Sequence, residues 1–92
     1  MKIKLAKKEI IHFIGIGGIG MSGLSLIMKG QGFKVQGSDI ANNRNIERLR
    51  REKIKIYLDQ KKKNLQNATI VVISSAIKKT NPELIEAKRK KI

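Results

Sequence analysis

Gly15, Gly17, Gly18 and Gly20, with Ile16 and Ile19 between them, are the residues in this 92-residue chain best suited to chemistry. They satisfy G-x-G-x-x-G with one glycine to spare, and the chemistry they suit is anion capture. Gly15 allows a sharp turn at the end of a strand. Gly17 and Gly18 leave the backbone bare, so that a phosphate could come close to N–H groups. Gly20 and Gly23 would let a following helix lie near the sheet. The unpaired amides and the positive dipole end of that helix, which takes in Met21 and Ser22, favour a diphosphate. A plain strand-to-helix turn explains the pattern less well. Five glycines between positions 15 and 23 weaken a helix more than tight turning alone requires.

Two other groups could join the glycines. Asp39 closes the second predicted strand about 20 residues beyond the turn, where dinucleotide folds place an acid against ribose hydroxyls; its bland reading is a turn or cap residue. Ser74, Ser75 and Ala76 follow the fourth predicted strand, where small residues would line a crevice or cap a turn. Nothing assembles into an active site. There is no cysteine, and His12, the only histidine, sits inside an apolar strand as a packed or supporting side chain rather than a general base. No G-x-x-x-x-G-K-[ST] phosphate loop is present. The chain reads as a binding domain.

The elements that must position these residues alternate between strand and helix. Ile10–Ile14 is a β-branched run suited to a buried parallel strand. Helix A follows over about Gly20–Lys29, with Met21, Leu24, Ile27 and Met28 inward and Gly30 as a left-handed cap. Phe33–Asp39 is strand 2, and a short helix B runs from Ile46 to about Glu52 after turn and cap residues Asn42–Asn45, with Ile46 and Leu49 inward. Ile54–Leu58 is an edge strand. Asp59–Asn67 is a solvated loop or frayed turn. Ala68–Ile73 is strand 4, apolar on both faces. Asn81-Pro82-Glu83 opens the last helix with an Asn cap, Pro at its first position and an acid in its first turn; Lys88–Lys91 complement its dipole. These elements predict an α/β fold with a parallel sheet in the order 3-2-1-4 and the ligand at the switch between strands 1 and 4. A doubly wound unit would feed another strand next, so a fifth strand is expected to be cut off after Ile92.

Bulk properties set outer limits. Ninety-two residues make one small domain, with residues 1–9 as a basic lead-in and 10–92 as its body. The net charge of +14 invites a nucleic-acid reading, but aromatic residues are only 3% and stacking platforms are missing. The lysines are spread over tails and predicted helix surfaces, so nucleic acid is not expected as a partner. No apolar run reaches the roughly 20 residues of a membrane span and no signal peptide is visible, so the cytoplasm is the expected location.

The residues also carry a family likeness. Ile11-His12-Phe13-Ile14-Gly15-Ile16-Gly17-Gly18-Ile19-Gly20-Met21-Ser22-Gly23, then Gly37-Ser38-Asp39, Ser74-Ser75-Ala76-Ile77 and Asn81-Pro82-Glu83, resemble the N-terminal domain of the Mur ligases of peptidoglycan synthesis. The likeness is strongest to the branch that joins L-alanine to UDP-N-acetylmuramate. It implies a Rossmann-like three-layer domain that holds UDP rather than NAD. The backbone of Gly15, Ile16, Gly17, Gly18, Ile19, Gly20 and Met21, with the Ser22 hydroxyl, would face the diphosphate. Asp39 and Ser38 would meet the uridine, and Ser74, Ser75 and Ala76 would close the other side.

In that family ATP and Mg²⁺ bind a central domain, which activates the muramate carboxylate as an acyl phosphate for attack by the amine of L-alanine. A C-terminal domain closes over the site. Neither domain lies in residues 10–92, so this chain is expected to bind UDP-N-acetylmuramate, to hold no cofactor itself and to catalyse nothing alone. A related ligase that attaches a recovered peptide is a near rival; Gly18-Ile19-Gly20-Met21 favours the alanine-adding branch. An NAD-binding domain of a dehydrogenase or regulator is the alternative from another class. The chain departs from the family at three places: Glu52-Lys53 where Leu-Gly is usual before strand 3, Asp59-Gln60 where a histidine commonly follows it, and Ile46 for a frequent threonine.

Overall fold

The computed structural model describes residues 6–92, so residues 1–5 of the expected lead-in lie outside the described residues. The chain runs β1 (Ile10–Ile14), α1 (Ile19–Gly30), β2 (Lys34–Ser38), α2 (Arg44–Arg51), β3 (Lys55–Tyr57), a 3-10 turn (Lys62–Leu65), β4 (Ile70–Val72) and α3 (Pro82–Lys90). The four strands form one parallel sheet in the order β3-β2-β1-β4. Strand alternation splits β1 between two layers. Ile11 and Phe13 join Met21, Met28, Val35, Ile46 and Leu49 in the core under α1 and α2. The opposite face carries a smaller apolar cluster of Leu65, Ala68 and Ala87 with Val71, under α3 and the 3-10 turn. What remains of the lead-in is anchored: Lys7 reaches the Gln31 carbonyl and lies 4.0 Å over the Phe33 ring.

Local chemistry explains the helix ends. Asn43 caps α2 by accepting from the Ile46 amide, and Asn81 caps α3 by accepting from the Glu83 and Leu84 amides, with Pro82 at the first helical position. Lys53, a residue with a Cβ, adopts φ +63°. The amides of Lys53 and Ile54 then bond back to Arg50 and Leu49, so the left-handed cap is kept by a lysine that has the Cβ penalty glycine avoids.

Several expectations need correction. The left-handed residue after α1 is Gly32 (φ +91°), because Gly30 still belongs to the helix. Ile27 is exposed; the buried face of α1 is Met21, Ser22, Ser25 and Met28, where two serines bond their own helix and fit close to the sheet. Gly20 and Gly23 do not provide a close approach, since a Cβ on either would meet nothing within 4 Å. That service falls to Gly37, whose Cβ would stand 2.5 Å from Ile16 Cδ1 and 2.8 Å from the Phe13 carbonyl. β4 pairs only with β1 among the described residues, so its side chains are half-buried rather than enclosed on both faces, and Ile73 is exposed.

Candidate functional site

The turn after β1 lies at the C-terminal end of the sheet. Gly15 takes φ +80°, and its amide and that of Ile16 both donate to the Ser38 carbonyl, at 2.8 and 3.0 Å, which ties the turn to the end of β2. Ile16 is fully buried against Gly37. Gly17 is held on both sides: its N–H donates to Asp39 Oδ2 at 2.8 Å, and its carbonyl accepts from Asn45 Nδ2 at 2.9 Å. A Cβ at Gly17 would meet Asp39 Oδ2 at 2.7 Å and Ile46 Cδ1 at 3.0 Å, so the protein itself fills the space expected for a phosphate. The Gly18 amide donates back to Gly15 at 3.2 Å.

Beyond Gly18 the backbone opens. Gly18 is the N-cap of α1 and has no side chain to offer, no acid lies in the first turn, and Ile19 is 88% exposed. The amides of Ile19, Gly20 and Met21 therefore point out of the helix end without a capping side chain, beside the positive end of the dipole. Uncapped amides at a helix N-terminus suit an anion. The Ser22 hydroxyl is buried and donates to the Ile19 carbonyl at 3.1 Å, so it faces its own helix.

A crevice of about 420 Å³ adjoins the turn, and Gly15, Asp39, Gln60, Ala76, Asn81 and Pro82 are among the residues that line it. It sits outside the ends of β1, β2 and β4, where open α/β sheets take their ligands. Asp39 is half-exposed; Oδ1 accepts from the Ala41 amide at 3.0 Å, and the carboxylate keeps lone pairs for donors on a ligand. Ser74 bonds the Ala76 amide at 3.3 Å and shapes the turn after β4, while Ser75 lies exposed near it. Ser38 is buried, with its hydroxyl donated to Glu83 at 2.6 Å. Of the residues expected at the site, the structure thus gathers Gly15, Asp39 and Ala76 around the crevice, with Gly18 to Met21 at the adjoining helix mouth.

Sequence reasoning missed what lies beneath. Glu83, expected only as a first-turn acid, is fully buried. It accepts from His12 Nε2 at 2.6 Å, Ser38 Oγ at 2.6 Å, Asn64 Nδ2 at 2.8 Å and the Lys61 amide at 3.1 Å. Gln36 lies opposite His12 in the β1–β2 register and bonds His12 Nδ1 at 2.9 Å, which leaves the ring proton on Nε2, facing Glu83. A histidine within an apolar strand and an acid just after a helix-starting proline are the only traces of this network in the sequence.

Residues 10–92 match the Mur ligase family, catalytic domain. A UDP-N-acetylmuramate–L-alanine ligase of Pelagibacter ubique is 71% identical over 92 residues, all of this chain and 20% of that protein. One of Bartonella bacilliformis is 58% identical over 98% of the chain and 19% of that protein. Among solved structures, a UDP-N-acetylmuramate-alanine ligase of Thermotoga maritima superposes with a TM-score of 0.86 at 34% identity, covering 90% of this chain and 19% of that one. A murein peptide ligase of Psychrobacter arcticus gives 0.79 at 28% identity, covering 90% and 18%. The chain thus spans about a fifth of the length of the curated relatives it matches.

Proposed function

We propose that this chain, which belongs to the Mur ligase family, is the part of a UDP-N-acetylmuramate–L-alanine ligase that holds the uridine diphosphate end of the sugar nucleotide. The observation that carries this reading is the uncapped mouth of α1 beside the crevice. Bare amides there suit a diphosphate, and Asp39, an acceptor only, suits the hydroxyl or N–H donors of uridine. The alanine-adding branch is favoured over the peptide-attaching one by relatives 71% and 58% identical.

The whole ligase would join L-alanine to UDP-N-acetylmuramate with ATP hydrolysis, a step of peptidoglycan synthesis. A reaction driven by ATP belongs in the cytoplasm, where ATP is supplied. The residues of this chain do not fit ATP and Mg²⁺. It contains no Gly-Lys-Thr phosphate loop, and among the described residues no group of three acids or histidines could hold a metal ion. In this reading both bind in the four-fifths of the relatives that the chain does not span, and the chain alone is inactive. No described helix is long and apolar enough to cross a membrane.

Calorimetric titration with UDP-N-acetylmuramate, UDP and NAD at moderate salt tests the proposal. Saturable binding of both uridine ligands and none of NAD supports it. Saturable NAD binding with none of the uridine ligands overturns it in favour of a dehydrogenase-type domain. Binding of DNA that survives high salt would instead point to nucleic acid, since non-specific phosphate contacts fade steeply with salt.

A further inference from the structure

We infer that Glu83 is a positioning residue that sets the width of the crevice from below. The inference rests on reading that crevice as the nucleotide site. Glu83 receives four donors from three separate segments: His12 in β1, Ser38 at the end of β2, and Lys61 and Asn64 in the 3-10 turn and its N-cap. A carboxylate has about four acceptor positions, and all are used. Such a group is expensive to bury unless it is fully satisfied, and apolar residues of like volume commonly do as well for stability. Its particular service is therefore geometric.

The chain places that service directly under the site. Asp39, Gln60 and Pro82 line the crevice, and each is the immediate neighbour of a residue in the network: Ser38, Lys61 and Glu83. Asn81 Nδ2 also donates to Gln60 Oε1 at 2.8 Å, so this part of the wall is a single unit. Glu83 fastens this unit to the strand ends. From Ser38 the connection runs on through Asp39 to the Gly17 amide of the glycine turn.

Glu83→Gln is the test, with Glu86→Gln as a control that removes one negative charge from the ion pair with Arg89 on the same helix. A glutamine offers an NH₂ where two donors already point. If it replaces Oε2, the Lys61 backbone N–H cannot accept from it at all, and the Asn64 side-chain amide can do so only by flipping. Two readouts are taken well below each variant's melting point: amide hydrogen exchange and affinity for UDP. The Lys61 amide should exchange about tenfold faster in Glu83→Gln, and UDP should bind about tenfold more weakly. Glu86→Gln should change neither.

A folded Glu83→Gln with wild-type Lys61 exchange and wild-type UDP affinity overturns the inference. If the wild-type chain binds no uridine ligand, the nucleotide reading fails, and Lys61 exchange alone still decides whether Glu83 holds the wall. If Glu83→Gln does not fold, Asn64→Ala carries the test, since it drops one donor of the four. Its Lys61 amide should exchange several-fold faster, and unchanged exchange overturns the inference.

Discussion

Asp39 Oδ2 accepts the Gly17 amide at 2.8 Å, across the base of the glycine turn. An anion cannot share that amide with a carboxylate. With the Gly18 amide also turned back to Gly15, the diphosphate of the proposed function would bind one step further along, at Ile19, Gly20 and Met21. The glycine motif therefore divides its work. Gly15 and Gly17 build the turn, and in the proposed function the residues after Gly18 would present the binding amides.

Asp39→Ala tests this division. It removes the acceptor of both the Gly17 and Ala41 amides. Because Asp39 is half-exposed and water can replace part of the loss, unfolding in urea should show a deficit of about 1 kcal/mol. UDP affinity should fall with it. An unchanged urea midpoint would mean that the turn holds its shape without the carboxylate.

Gly20→Ala and Gly23→Ala should separate stability from binding. Neither new Cβ would meet anything within 4 Å, and both positions are helical, so each variant should gain up to about 1 kcal/mol. Gly20 lies in the open first turn, and a methyl group there would crowd an incoming phosphate. UDP affinity should drop for Gly20→Ala and stay constant for Gly23→Ala, as read by calorimetry. Equal affinities in the two variants would move the anion away from the helix mouth.

Strands, helices and their order were legible because they depend on local pattern. The β-branched run Ile10–Ile14, the Asn81-Pro82 start of α3 and the Asn43 cap are all written within a few residues. The purpose of individual glycines was not. Gly17 and Gly37 are determined by Asp39, Ile46 and Ile16, side chains from other elements that meet only once the sheet has formed. The Glu83 network was hidden for the same reason, because His12 and Glu83 lie 71 residues apart and meet across two layers. Exposed Ile27 shows the limit of a periodic pattern: Ser22 and Ser25 are small enough to take the inner face of α1 and return their hydroxyls to the helix.

Lys53→Gly should stabilise the domain by about 1 kcal/mol. The lysine sits at φ +63°, a conformation unfavourable for any residue with a Cβ, and glycine would keep the bonds to Arg50 and Leu49 without that strain. Thermal unfolding of the two chains measures it. A lower melting temperature for the glycine variant would show that the lysine side chain supplies something the left-handed cap does not explain.

Two carboxylates give a pH dependence of known sign. A hydrogen bond and ion pair from Arg89 hold Glu86 below the usual carboxylate range, and the Asn64 amide, then Lys61 and Lys63, do the same for Asp59. A depressed folded-state value contributes stability above the unfolded value, and that contribution is lost as pH falls through the folded one. The melting-temperature difference between wild type and Glu86→Gln should thus be constant above about pH 5 and shrink as pH drops below about 4. A difference that grows on acidification would reverse the assignment.

The most direct measurement is an NMR titration of the chain with UDP, following backbone amides. The account predicts saturable shifts centred on Ile19, Gly20 and Met21, with smaller ones at Ala76, and a Gly17 amide that keeps its bond to Asp39. Saturation by UDP that leaves Ile19, Gly20 and Met21 unmoved, or the same shifts produced by NAD and not by UDP, would contradict it.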